Sequence, residues 1–461
     1  MRTLLRNIKR AFARLALLGG VLTPPIALAA GLQLDDGLRA ALATRGELRV
    51  IVVLDAPPAR ASAAVSPREQ LDVLLADVPE LAGRIERRFE SFAGFAARID
   101  VATLEALKQR GGALRIGFDE GGSGSLVESI PLAQVTPVQL AGLTGAGTKV
   151  VILDSGLRLD HASFAGRIVD EACFCSLTVG GCCPNGEATQ FGPGAASDAH
   201  GHGTNVGGIA VGADGVTGVP RGVASGASIV AVRVLDQNNS FSTSSQIVAA
   251  YDWVRINHPD ASVINASLGT NARFAGDCDA SAAFTTAFAN VLNPLRAGGT
   301  LATVSSGNNG SSVDMQAPAC IASALAVGAV YDANVGSQQF GSVCTAATTA
   351  ADQVACFSNL SPTTDLLAPG APVTAAGRGS ATGTSTFSGT SMAAPMTAGC
   401  IALLKQALPA ATPDQIEAAL EASPVRLARA TPAQDYPRLD CADALQRLLE
   451  LPLFANGFES N

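Results

Sequence analysis

Five short apolar runs recur between residues 149 and 330: KVVILD (149–154), SIVAVRVLD (228–236), SVINASL (262–268), TLATVSS (300–306) and ALAVGAV (324–330). Two longer stretches between them, SSQIVAAYDWVRIN (244–257) and SAAFTTAFANVLNPLR (281–296), read as helices. A strand apolar on both faces must be covered on both faces, and alternation with helices supplies that cover. The pattern predicts an α/β fold with a mostly parallel sheet flanked by helices on both faces. In such sheets the chemistry sits beyond the carboxyl ends of the strands. Polar residues that close an apolar run are therefore the first candidates for a site.

Ahead of this region lies a smaller unit of different character. ELRVIVVLD (47–55), FAGFAARID (92–100) and ALRIGFDE (113–120) read as strands. SPREQLDVLLADVPELAGRIERRF begins with Ser66, Pro67 and Glu69, the pattern of a capping box with proline at the first helical position. VATLEALKQR reads as a second helix. The expectation is a compact α+β domain in β-α-β-α-β order, with helices on one face and no histidine or cysteine. EGGSGS (120–125) then reads as a flexible linker.

The first 29 residues read as a secretory signal peptide. Arg2, Arg6, Lys9, Arg10 and Arg14 precede a short apolar stretch that ends at Ala27-Leu28-Ala29. Pro24 and Pro25 interrupt that stretch, which is already short for a membrane span. Its removal takes five positive charges off a net −8 and leaves about −13, which argues against a nucleic-acid partner. Export implies an oxidising compartment, and the ten cysteines fit it as disulfides. Cys173, Cys175, Cys182 and Cys183 crowd together, but without the spacing of a zinc site. Cys278 with Cys320, and Cys344 with Cys356, are candidate pairs by proximity, while connectivity stays open.

Three polar positions carry the chemical signal. Asp154 closes the first apolar run, where a carboxylate needs a partner. His202 lies between glycines in DAHGHGTNVGG (198–208), and Ser391 lies at the start of a helix in FSGTSMAAPMTAGCIALLKQ, with Pro395 expected within the first turn or so. Singly these read as a turn carboxylate, a core histidine and a helix cap. Together they supply a carboxylate, a base and a nucleophile in the order Asp, His, Ser. Asn308, in TLATVSSGNNG, adds an amide that can donate to an oxyanion. No G-x-S-x-G occurs anywhere, which weakens an esterase reading.

VVILDSGL, GHGTNVGGIA, SSGNNG and GTSMAAP together resemble the Asp, His, oxyanion-Asn and Ser blocks of subtilisin-like serine proteases, over roughly residues 130–410. The resemblance implies Asp154 as the His-orienting carboxylate, His202 as general base and acid, Ser391 as nucleophile and Asn308 as oxyanion donor. NASLG (265–269) is similar to the family's substrate-pairing strand, which makes Ser267, Leu268 and Gly269 one wall of the cleft. His200 falls on a variable position of the family's D-x-x-G-H-G-T pattern and is expected to be idle rather than half of a metal pair. Asn205 and Gly207 depart from the His and Ala of many relatives.

The same resemblance implies a fuller organisation: signal peptide 1–29, inhibitor-like propeptide 30–125, peptidase domain 126–447 and C-terminal tail 448–461. It implies an exported endopeptidase, made as an autoprocessed preproenzyme and acting on polypeptides as a monomer with its own propeptide as inhibitor. No cofactor or metal is expected for the chemistry, and structural calcium enters by kinship alone. Only four lysines beside many arginines point to a GC-rich bacterial genome.

Overall fold

The computed structural model describes residues 32–34, 37–54, 66–88, 93–111, 114–118, 126–177, 179–430 and 433–450. The expected signal peptide, the expected 120–125 linker and residues 451–461 lie outside them. The chain divides into two compact units between Gly121 and Gly122.

The first unit has a five-stranded sheet ordered Gln33–Leu34, Leu114–Phe118, Glu47–Leu54, Gly94–Asp100, Ile85–Arg88. Its helices, Leu38–Arg45, Pro67–Asp77 and Val101–Arg110, bury Leu38, Leu42, Leu71, Leu74, Leu104 and Leu107 against Val50, Val52, Phe95 and Ile99. Ser66 caps the second helix in a capping box with Glu69, as its sequence predicts. That helix stops at Asp77, because Pro79 cannot continue it. The chain turns and returns as the Ile85–Arg88 strand, where the sequence pattern suggested continued helix.

The second unit is built on an eight-stranded sheet. Across it run Leu366–Ala371, Ala324–Tyr331, Leu301–Ser305, Val263–Ala266, Lys149–Asp154, Ser228–Arg233, Ile168–Phe174 and Thr189–Phe191. All pairings are parallel except the last. Side chains alternate between two cores. Val150 and Ile152 join Val206 and Ile209 on one face, while Val151 and Leu153 join Ile247, Tyr251, Phe288 and Leu292 on the other. Each such side chain, fully buried, stabilises the fold by roughly 1.5–3 kcal/mol. A charge at Val151 would break the second core.

Two further strands escape the sequence pattern, one at a margin of the sheet and one next to the other margin. Leu366–Ala371 contains Pro369 and Gly370 and lies at the sheet margin, where proline is tolerated. Ile168–Phe174 carries Asp170 and Glu171 and lacks an apolar run.

Two helices set the site. His202–Val211 and Thr390–Ala407 pack closely at Gly399, where a Cβ would stand 2.4 Å from that of Val223 and 2.9 Å from the Ala210 carbonyl. Five disulfides, all in this unit, join Cys173–Cys183, Cys175–Cys182, Cys278–Cys320, Cys344–Cys356 and Cys400–Cys441. The crowded four cysteines thus form two nested cystines. The last helix among the described residues runs to Glu450, past the expected boundary at 447.

Candidate active site

Asp154 ends its strand with a fully buried carboxylate. Oδ1 accepts from the Ser155 N–H at 2.7 Å and faces His202 Nδ1 at 2.7 Å. Oδ2 is buried without a hydrogen-bond partner among the described residues. The imidazole can come this close because position 203 is glycine. A Cβ there would lie 2.1 Å from the Gly156 carbonyl and 3.1 Å from Asp154 Oδ1.

His202 opens its helix and is buried, with Nε2 unpartnered among the described residues. Burial by itself would lower its pKa. The Asp154 carboxylate, its hydrogen bond and the nearby Asp198 outweigh that cost and raise it above the ordinary 6.5. Phe387 meets the ring edge-on at 5.9 Å. Phe387 ends the Val373–Ala376/Thr384–Phe387 hairpin, which Asn205 pins through Nδ2 to the Ser385 carbonyl at 2.6 Å. Asn205 thus anchors a neighbour of the imidazole. Gly207 leaves room for Leu157 and Phe164, whose atoms lie 2.7 and 3.3 Å from where a Cβ would stand.

Ser391 is the second residue of its helix, and Pro395 falls in the second turn, deeper than the sequence suggested. Lacking an N–H, Pro395 leaves the Ser391 carbonyl without its helical donor. The Ser267 hydroxyl fills the gap, donating to that carbonyl at 2.7 Å. Ser391 Oγ makes its own bond back to the Ser267 carbonyl at 3.5 Å, and none to His202 among the described residues. Ser267 and Ser391 are therefore tied in both directions.

Asn308 follows the Leu301–Ser305 strand. Its Oδ1 accepts from the Thr390 N–H at 2.9 Å and the Thr390 hydroxyl at 3.0 Å, which turns the NH₂ the other way. Ser267, Leu268, Gly269, Asn308 and Ser391 line one cleft of about 410 Å³. The Gly269 N–H and C=O have no backbone partner among the described residues, as a strand awaiting an added peptide would require.

His200 is exposed, its ring 6.4 Å from that of His202. The group of three carboxylates close enough to share an ion among the described residues is Asp365, Glu417 and Glu421. Arg296 already pairs with Glu417, and burial, with nearby Glu417 and Glu421, drives the Asp365 carboxyl far above its usual range. The Arg296 guanidinium thus already supplies this group with a cation.

Sequence reading missed Asp198, Ser155, Thr204 and Phe387. The first three are short polar residues that resemble turn formers until the fold folds them around His202. Phe387 is adjacent to the SGTS block, and that adjacency was the available signal.

The model of the Subtilase family matches residues 145–436. An extracellular serine proteinase of Thermus sp. is 38% identical over 60% of this chain and 55% of its own length. Subtilisin DY of Bacillus licheniformis is 32% identical over 65% of this chain and 91% of its own. A protease structure from Pseudoalteromonas arctica superposes with a TM-score of 0.52 at 25% identity, covering 68% of this chain and 94% of that one. The chain spans about half the length of the first curated relatives it matches. No helix among the described residues is long and apolar enough to cross a membrane. The family match takes in more than half of the sequence and all four polar blocks, and the chain is a member of the subtilase family.

Proposed function

We propose that this chain is an exported serine endopeptidase, made as a preproenzyme and matured by its own cleavage near residues 120–131. The observation that carries this reading is the buried His202–Asp154 pair, with Nδ1 held and Nε2 open. Serine needs such a base to lose its proton. A substrate peptide pairs with Ser267–Gly269 and draws the Ser391 hydroxyl from the Ser267 carbonyl toward His202. Apo sites are often loose in this way. His202 Nε2 takes the proton as Ser391 Oγ attacks the scissile carbonyl. Asp154 stabilises the imidazolium, and Asn308 Nδ2 with the Ser391 N–H holds the oxyanion. The imidazolium then protonates the leaving amine, and water activated by His202 releases the acyl group.

The disulfides and the extracellular relative support export, and the early α+β unit supports a propeptide that inhibits until cut away. The N-terminal signal, monomeric action and bacterial source belong to the same reading. The test is intact mass and N-terminal sequencing of secreted wild type and Ser391→Ala. A wild type beginning near 120–131, beside a mutant that keeps the early unit, supports it. A Ser391→Ala protein that still processes itself and cleaves peptides overturns it.

A further inference from the structure

Asp198 is four residues before His202, at the start of the DAHGHGT motif. It is buried, and its carboxylate collects five donors. Oδ1 accepts from the Ser155 hydroxyl at 2.8 Å and from the His200 and Gly201 N–H groups at 2.9 and 2.8 Å. Oδ2 accepts from the Thr204 N–H at 3.1 Å and from the Thr204 hydroxyl. The N-cap of the His202 helix is Gly201, which has no side chain to satisfy the first turn. Asp198 satisfies it from three residues further back.

Ser155 makes this more than a cap. Its hydroxyl donates to Asp198 and accepts from the Gly203 N–H at 2.9 Å. Asp154 at the strand end and Ser155 just after it are thus matched to 202 and 203 on the helix in two rungs. One rung is Asp154–His202 and the other is Ser155–Gly203, with Asp198 holding Ser155. Arg378 Nε binds the Asp198 carbonyl at 2.9 Å, and Arg233 binds the Ser197 carbonyl at 3.1 Å, so cations fix this loop from outside.

We infer that Asp198 is a positioning residue for catalysis: through Ser155 it holds the helix that carries His202 in register with Asp154, and it places a second buried carboxylate beside the imidazole. This inference rests on the protease reading above. The groups facing His202 are Asp154, Asp198, His200 and Phe387. Asp198 adds to the field that favours imidazolium, the form made as Ser391 is deprotonated. Removing its charge lowers the His202 pKa and misplaces the ring together. The acidic limb of activity then moves to lower pH while the plateau falls.

The test compares wild type, Asp198→Asn and Ser155→Ala, each made as the full chain, on one fluorogenic peptide from pH 4 to 10. Labelling of Ser391 by a fluorophosphonate probe is followed in parallel. Asp198→Asn is expected to lose roughly tenfold or more in kcat with KM little changed, an acidic limb displaced downward and slower labelling. Ser155→Ala keeps the charge and cuts the rung, so its kcat falls by a smaller factor with the limb in place. An Asp198→Asn enzyme with wild-type kcat and limb but a lower Tm would overturn the inference and leave a structural cap. Should Asp198→Asn fail to fold, Ser155→Ala decides: folded with lowered kcat supports the inference, and folded with wild-type kcat overturns it. Wild type that resists the probe would instead overturn the protease reading, so the two failures are distinguishable.

Discussion

The strand Lys149–Asp154 carries a histidine cluster at each end. At its carboxyl end His202 binds Asp154. At its amino end, roughly 16 Å away by strand rise, Lys149 binds His258, which in turn binds Asp170. Both histidines are buried and both have a carboxylate partner. His258 nonetheless has its pKa lowered, first by burial and then by Lys149, with Asp170 and Asp260 opposing. His202 has its pKa raised. His258 uses both ring nitrogens, Nε2 on Asp170 at 3.1 Å and Nδ1 toward Lys149 Nζ at 3.5 Å, and packs on Trp253. His202 uses one. A buried His–Asp pair is therefore not by itself a catalytic one. In the proposed mechanism the difference is the free nitrogen of His202 and, among the described residues, the lack of a cation bound to its ring.

The sharpest way to break this comparison is to neutralise each carboxylate. Asp154→Asn is expected to lower kcat by about 10⁴-fold, the scale of the same change in a trypsin-type triad. Asp170→Asn should leave kcat within about twofold, since it only orients a histidine with no open nitrogen. Equal losses would show that the two ends work together. Asn308→Ala, in the cleft shared with Ser391, should cost about 10²–10³-fold in kcat with KM nearly constant if it is the proposed oxyanion donor, the range found for such a donor in subtilisin.

A third test uses pH. In the proposed mechanism His202 is the base and must be neutral to act, so kcat/KM should rise as the pH passes its folded pKa, with a midpoint above 6.5. Because this pKa is raised, the pair also stabilises the fold fully below the unfolded value and fades as pH rises through the folded one. His258 has the opposite sign. Its contribution is full above about 6.5 and is lost as pH falls toward its lower folded value. His258→Gln should therefore cost about 1 kcal/mol at pH 7.5 and make Tm less sensitive between pH 7 and 5. Calorimetry across that range checks it, and an unchanged acid sensitivity would count against His258 as the titrating group.

Much of the architecture was legible because it rests on local rules. Five apolar runs with helices between them imply a covered parallel sheet, and each central run is a strand in that sheet. Ser66 and Glu69 announce a helix start that the structure contains. Where margins matter, locality fails: Pro369 is acceptable only because its strand lies at an edge, a fact no window of sequence holds.

The site divides in the same way. Sequence alone determined which residues are chemically capable, Asp154, His202, Asn308 and Ser391, and in what order they follow one another. Tertiary structure alone decided that Asp198 caps a helix whose own cap is glycine, and that Ser267 answers the carbonyl orphaned by Pro395. It also decided which of two His–Asp pairs keeps a nitrogen free. The reason is physical. Residue type sets what a group can donate, accept or ionise, while burial and partners from distant segments decide which of those capacities remains unspent.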